Sequence, residues 1–205
     1  MSIGAIGAAR SAVRRFGPVI GGTAGSQIMS ALGLIIIAKI YAGHVSDTYV
    51  IGLQMATAPV SGVVLGVVYN IALGRPGFHH WWRFCLGTVV FGTVVAAVVA
   101  TVSGSRFVDA TSSWGVSSLV IVCSLAIGGL ILSSLGVFAV RDALRGSPMG
   151  LATLSLPANA GMILAAIAVV VWGMHDSTPW LPAVVWGAAS ITQGIVVVVR
   201  SYRRY

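Results

Sequence analysis

Apolar residues run through this chain in long blocks, and short joints that contain polar residues, glycine or proline separate the blocks. A block of about 20 apolar residues is long enough to cross the hydrocarbon core of a bilayer as an α-helix. The pattern predicts six such helices, at residues 18–42, 48–74, 84–103, 116–140, 150–173 and 180–199. Because the joints are short, we expect one compact all-α bundle with no separate soluble domain.

Composition supports an α-helical membrane protein. Hydrophobic residues make up 57% of the 205 residues, charged residues make up 8%, and the mean hydropathy is +0.97. A soluble domain carries about 25% charged residues. The net charge of +8 does not indicate a nucleic-acid partner, because the arginines cluster at helix ends and form no stripe with stacking aromatics. We therefore expect membrane lipids as partners.

The distribution of basic residues predicts the orientation of the helices. Ten of the twelve lysines and arginines fall at the N-terminus, at the C-terminus or in joints that lie on the same side as the termini. The positive-inside rule then places both termini in the cytoplasm, and we expect a bacterial inner membrane. Residues 1–17 form a basic interfacial segment with a short helix at 2–15, residues 18–200 form the transmembrane domain, and residues 201–205 form a basic cytoplasmic tail.

No constellation of catalytic or metal-ligating residues occurs in the sequence. Cys85 and Cys123 both lie in apolar blocks without ligand spacing, and His79 and His80 point in different directions if their segment is helical. A nucleotide-binding motif GxxxxGK[ST] is missing, and no carboxylate pair or activated nucleophile can be assembled. We expect a protein that is not an enzyme and that uses neither a metal nor a cofactor.

Polar side chains inside the apolar blocks are the candidates for function. Lys39 is the only lysine and lies near the end of the first predicted span. It either anchors the helix end at the outer interface or contacts an anionic cargo. With Lys39, the candidate residues of a substrate cavity are Gln27, Gln54, Asn70 and Asn159. Pro157, two residues before Asn159, is expected to break the helical hydrogen-bond ladder in the middle of the fifth span.

Small residues recur at helical spacing in the first two spans. Gly17, Gly21 and Gly25 form one ladder in the first span, and Gly22, Ser26 and Ser30 form another. Such ladders let helix backbones approach closely in lipid, so we predict helix packing at Gly21, Gly25, Gly62 and Gly66. The alternative is that these small residues line a water-filled groove.

Two stretches carry a family resemblance. The run IAKIYAGHVSDTYVIGLQM, at residues 37–55, resembles the end of the first helix and the start of the second in lipid II flippases and related polysaccharide flippases. The run GVFAVRDALRGSPMGLATLSLPANAGMILAA, at residues 136–166, is similar to the passage from their fourth to their fifth helix. These proteins belong to the multidrug/oligosaccharidyl-lipid/polysaccharide exporter superfamily, and Lys39 matches a basic position at their cavity.

The resemblance implies a function and a partner. It implies that a lipid-linked saccharide, or another amphipathic anionic cargo, crosses the membrane by alternating access between two six-helix lobes. This chain resembles the N-terminal lobe only, so we expect a homo-oligomer or a second transmembrane lobe. The missing lobe also motivates an alternative hypothesis, in which the chain is a non-transporting membrane subunit that scaffolds or anchors a larger complex.

Overall fold

A computed structural model describes residues 3–41, 43, 45–56, 87, 91, 94, 95, 98, 113–144, 150, 153–174 and 176–203. This part of the chain holds five helices and no strands. They are α1 (Ile3–Ile40), α2 (helical residues 45–56), α3 (Ser113–Leu144), α4 (Leu156–Val171) and α5 (Leu181–Arg203). The prediction of an all-helical fold is confirmed for these residues.

Two of the helices, not the predicted six, are long and apolar enough to cross a membrane in the part of the chain that is described. They are Val116–Val140, within α3, and Leu181–Arg203. The first coincides with the predicted span 116–140. The apolar parts of α1 and α4 are shorter, at Ala24–Ile40 and Leu156–Val171. Most of the predicted spans 48–74 and 84–103 lies outside the described residues.

Helix α1 runs without interruption across the predicted boundary at residue 17. Its 38 residues correspond to about 57 Å at 1.5 Å per residue, nearly twice the thickness of a bilayer core. Arg15 lies 25 positions before Ile40, which is about 37 Å along the axis. The helix is therefore continuous across the predicted boundary at residue 17, and its N-terminal part is basic.

Helix α4 is shorter than its predicted span because the chain turns at residues 153–155 and the helix begins at Leu156. Pro157 occupies the first turn, where its missing amide proton and fixed φ do no harm. It therefore helps to start a helix and does not bend one, contrary to the prediction. The helix ends at Val171, and Gly173 closes it with a φ of +64° that suits glycine, while the Met174 amide donates to the Val169 carbonyl at 2.9 Å.

Helix α5 is the centre of the described bundle. It packs most extensively on α3 and also on α4, and α4 in turn packs on α1. The α3–α5 crossing depends on Gly128 and Gly187. A Cβ atom added to Gly128 would lie 2.6 Å from the Gly187 Cα, and one added to Gly187 would lie 2.6 Å from the Ser124 carbonyl oxygen. The two backbones are therefore in direct contact, which only glycine allows.

Side-chain hydrogen bonds tie α5 to its neighbours near both of its ends. The Tyr49 hydroxyl, on α2, donates to the Pro179 carbonyl at 2.8 Å and accepts from the Ala183 amide at 3.2 Å. At the other end the Ser201 hydroxyl donates to the Asp142 carboxylate at 3.0 Å, and both residues are buried. Asp142 lies two residues beyond the predicted span 116–140, and the structure places it inside the α3–α5 contact.

Two stacked tyrosines give a matched test of this arrangement. The rings of Tyr41 and Tyr49 lie 6.4 Å apart and nearly parallel, but the buried Tyr41 hydroxyl has no hydrogen-bond partner among the described residues. We expect Tyr49→Phe to lower the free energy of unfolding by about 1–2 kcal/mol, because it leaves a buried amide and carbonyl unpaired. Tyr41→Phe should be neutral or slightly stabilising. Reversible unfolding in mixed detergent checks both, and equal losses would contradict the hydrogen bonds assigned to Tyr49.

Candidate functional site

A buried polar cluster joins α1, α4 and α5. The Asn159 side-chain amide donates to the Ser26 carbonyl oxygen at 3.0 Å and lies 3.1 Å from the Ser26 hydroxyl. The Trp186 indole nitrogen donates to Asn159 Oδ1 at 2.9 Å. The hydroxyls of Ser26 and Ser155 form a further hydrogen bond, in which either can donate. Four side chains from three helices and the turn before α4 thus form one network.

The cluster lies where α4 begins, and this start is inside the bundle. The side chain of Leu154 packs against Gly136 of α3. Gly136 is eight residues before Leu144, the last residue of α3, so α4 begins about 12 Å short of that end. Helix α5 runs beside α3 as far as the Asp142–Ser201 contact. The α4 start is therefore flanked by longer helices, and its irregular backbone at 153–155 is next to the cluster.

The cluster consists of neutral groups only. Asn159 uses both ends of its amide within the protein and is 4% exposed. Two hydroxyls, an amide and an indole supply no acid, base or activated nucleophile at neutral pH. Their chemistry is hydrogen bonding, which in an apolar bundle fixes how α1, α4 and α5 sit against one another.

Lys39 and Gln27 lie on the opposite side of α1, away from the cluster. Both side chains are exposed, as are the intervening Ile28, Leu32 and Ile35. The buried side of the same helix carries Ser26, Gly33 and Ile37, of which Gly33 is in close contact with Met162 of α4. Helix α1 thus has one side that packs against the bundle and one side that is exposed.

The predicted cavity residues do not converge on one site among the described residues. Asn159 is in the core, Gln27 and Lys39 are on the outer side of α1, and Gln54 is exposed on α2. Asn70 lies outside the described residues, as do Gly62 and Gly66. A Cβ atom at Gly21 would meet nothing within 4 Å, and one at Gly25 would touch only the Leu156 side chain, at 4.0 Å. Among the described residues, neither glycine lies at a close helix contact.

Sequence reasoning missed three members of the cluster as functional residues. Ser26 stood out only as one of a small-residue ladder, and Ser155 and Trp186 drew no prediction. A usable signal existed, because an asparagine amide and an indole N–H in apolar helices each need a partner. The ladder of Gly22, Ser26 and Ser30 shares a helix face, and its middle member supplies both acceptors for Asn159.

A search among the described residues finds no group of three or more histidines, cysteines, aspartates or glutamates that could hold a metal ion. Family models, curated proteins and solved structures contain no match for this chain, so its sequence and geometry carry the functional argument.

Proposed function

We propose that this chain is one lobe of a flippase-like transporter in a bacterial inner membrane, with both termini in the cytoplasm and six membrane-crossing segments. Its cargo is a lipid-linked saccharide or another amphipathic anionic molecule, and it works with a second lobe, either another copy or a separate chain. The two helices of membrane-crossing length and the apolar composition support membrane insertion. The flippase assignment goes further and rests on where α4 begins and on the exposed side of α1.

The start of α4 inside the bundle is the observation that carries this proposal. Irregular backbone at membrane depth is tolerated only where protein or a water-filled cavity satisfies it. Transporters use discontinuous helices near their binding sites, where helix ends and unwound backbone groups are exposed. Here the turn at 153–155 lies beside Ser26 and Asn159, on the side of α1 opposite Lys39, so it supports a bundle that can rearrange and not a direct contact with the cargo.

The outer side of α1 is the surface that we assign to the cargo. Lys39 supplies a positive charge near one end of α1, and Gln27 supplies an amide 12 residues earlier, about 18 Å along the axis. A lysine ammonium binds phosphate as a point charge, and the apolar side chains between the two residues suit a lipid tail. The exposure of this side leaves room for both a cargo and a second lobe.

Replacing Lys39 with alanine tests the cargo role. We expect Lys39→Ala to slow export of lipid-linked saccharide by roughly 10- to 100-fold, because a charge-assisted contact contributes about 1.5–3 kcal/mol and each 1.4 kcal/mol is a factor of ten. Lys39→Arg, which keeps the charge, should retain most of the activity. The measurement is accumulation of lipid-linked saccharide in cells whose own gene is replaced by each variant, with membrane levels of the protein matched. Normal export by an inserted Lys39→Ala variant would rule out the cargo role.

The second candidate is a non-transporting subunit that scaffolds or anchors a complex. One observation favours it: both the nitrogen and the oxygen of the Asn159 amide form hydrogen bonds inside the bundle, which suits a fixed support better than a cavity wall. In that case Lys39 lies at the membrane surface as an anchor. Purification in mild detergent tests the scaffold, because a monomer without a stable partner chain counts against it. A retained partner fits both candidates, so normal export in the absence of this chain is then the result that favours the scaffold.

A further inference from the structure

Ser155 stands at the N-cap of α4 but does not cap the helix. An N-cap serine ordinarily has an extended backbone and accepts a hydrogen bond from the second or third amide of its helix. Ser155 instead has φ −105° and ψ −6°, in the sparsely populated bridge between the helical and extended regions, and makes no side-chain cap bond. Its hydroxyl bonds to Ser26 of α1.

Only one backbone amide could donate the capping hydrogen bond that Ser155 does not accept. With Ser155 as N-cap, the second helical residue is Pro157, which has no amide proton. The third is Ala158, so its amide is the group to which the Ser155 hydroxyl would bond in a capped helix. A rotation of the Ser155 backbone from ψ near zero to the extended region would make this bond and would end the contact with Ser26.

The two bonds are of similar strength. An N-cap bond and an interhelical hydrogen bond in a membrane protein each contribute on the order of one hydrogen bond's net stabilisation. Other contacts of α1 with α4 include the bond from the Asn159 amide, the packing of Gly33 against Met162 and the contact of Gly25 with Leu156. The Ser26–Ser155 bond is therefore one of several contacts that hold α1, and its loss should shift the position of α1 by a measurable amount without releasing the helix.

We infer that Ser155 is an exchange residue, whose hydroxyl holds α1 to the bundle through Ser26 in the conformation described here and caps α4 when α1 moves away. The break at 153–155 is then a hinge with two hydrogen-bonded states. This inference concerns the chain's own conformations and does not depend on the identity of a cargo.

Amide hydrogen exchange at Ala158 tests whether Ser155 changes its hydrogen-bond partner. Ser26→Ala removes the partner on α1, so we expect Ser155 to cap α4 and the Ala158 amide to exchange about fivefold more slowly, the effect of one N-cap bond. The measurement is amide exchange by NMR on the full-length protein in nanodiscs. Ser26→Thr, which keeps the hydroxyl, should match the wild type, and Ser26→Ala combined with Ser155→Ala should lose the slowing.

An unchanged or faster exchange at Ala158 in Ser26→Ala would overturn the inference, since a purely structural serine can only loosen its surroundings when removed. Slowing that persists in the double variant would overturn it as well, because Ser155 would not be its source.

A distance measurement tests the movement of α1. Spin labels at Leu32→Cys and Leu164→Cys, both exposed in the structure, report the α1–α4 separation in a background with Cys85→Ala and Cys123→Ala. We expect a longer distance population to grow in Ser26→Ala. Ser155→Ala removes the other partner of the same bond, so it should also lengthen the α1–α4 distance. Because this variant cannot cap α4, its Ala158 amide should exchange faster than that of Ser26→Ala. If the α1–α4 distance distribution is the same in Ser26→Ala, Ser155→Ala and the wild type, α1 does not move and the inference is wrong.

Discussion

Asn159→Ala is expected to destabilise the protein by about 3 kcal/mol. The variant loses the two contacts that the Asn159 amide makes with Ser26, and each such bond in a membrane protein contributes about 0.6 kcal/mol on average, up to about 1.7. It also leaves the Trp186 indole N–H buried without a partner, which costs about 1–3 kcal/mol. Reversible unfolding in mixed detergent should show the loss as a shift of the midpoint.

Gln27→Ala is the matched control, because it truncates a comparable amide on the exposed side of α1. We expect a change within about 0.5 kcal/mol, as for most exposed positions without special contacts. Equal destabilisation by the two variants would mean that the Asn159 amide is no more engaged than that of Gln27, and the polar cluster would lose its central role.

Gly187→Ala is expected to cost about 3 kcal/mol, although alanine is the better helix former by about 1 kcal/mol. The added Cβ would lie 2.6 Å from the Ser124 carbonyl oxygen. Because that neighbour is backbone and not the end of a flexible side chain, α3 and α5 must separate. This crossing joins the two helices of membrane-crossing length, so we expect Gly187→Val to prevent stable folding.

Gly21→Ala controls for the general effect of replacing a helical glycine. Its added Cβ would meet nothing within 4 Å, so only the gain in helix propensity remains, up to about 1 kcal/mol of stabilisation. Unfolding midpoints of the two variants should therefore shift in opposite directions. A loss at Gly21 as large as that at Gly187 would contradict the open surroundings that the described residues leave at Gly21.

Periodicity and composition predict the helices best where the apolar block is uninterrupted. The block at 116–140 coincides with the apolar core of α3, and the predicted span 180–199 corresponds to α5 within a few residues. Prediction fails where a local preference competes with hydrophobicity. At 150–173 the block is apolar enough for a full span, but the turn at 153–155 and the preference of proline for a first helical turn start α4 at Leu156.

Which polar residues meet cannot be predicted from a single sequence. Asn159 was a candidate from its position in an apolar block, but its partners Ser26 and Trp186 are 133 and 27 residues away. Their contact depends on how three helices are rotated about their axes. The glycines show the same limit, since Gly17 and Gly21 meet no described residue within 4 Å of an added Cβ atom while Gly128 and Gly187 are in contact backbone to backbone. Spacing identifies a helix face but not its neighbour.

The indole NMR signals of Trp186 and Trp172 test most directly whether the polar cluster lies at membrane depth inside a helical bundle. Trp186 is buried in the cluster, whereas Trp172 is 69% exposed at the end of α4. In nanodiscs, we expect a spin label on the lipid acyl chains to broaden Trp186 and an aqueous gadolinium chelate to spare it, with Trp172 more sensitive to the chelate. Trp186→Phe and Trp172→Phe assign the two signals. Broadening of Trp186 by the chelate, with no effect of the lipid label, would contradict a membrane-embedded cluster.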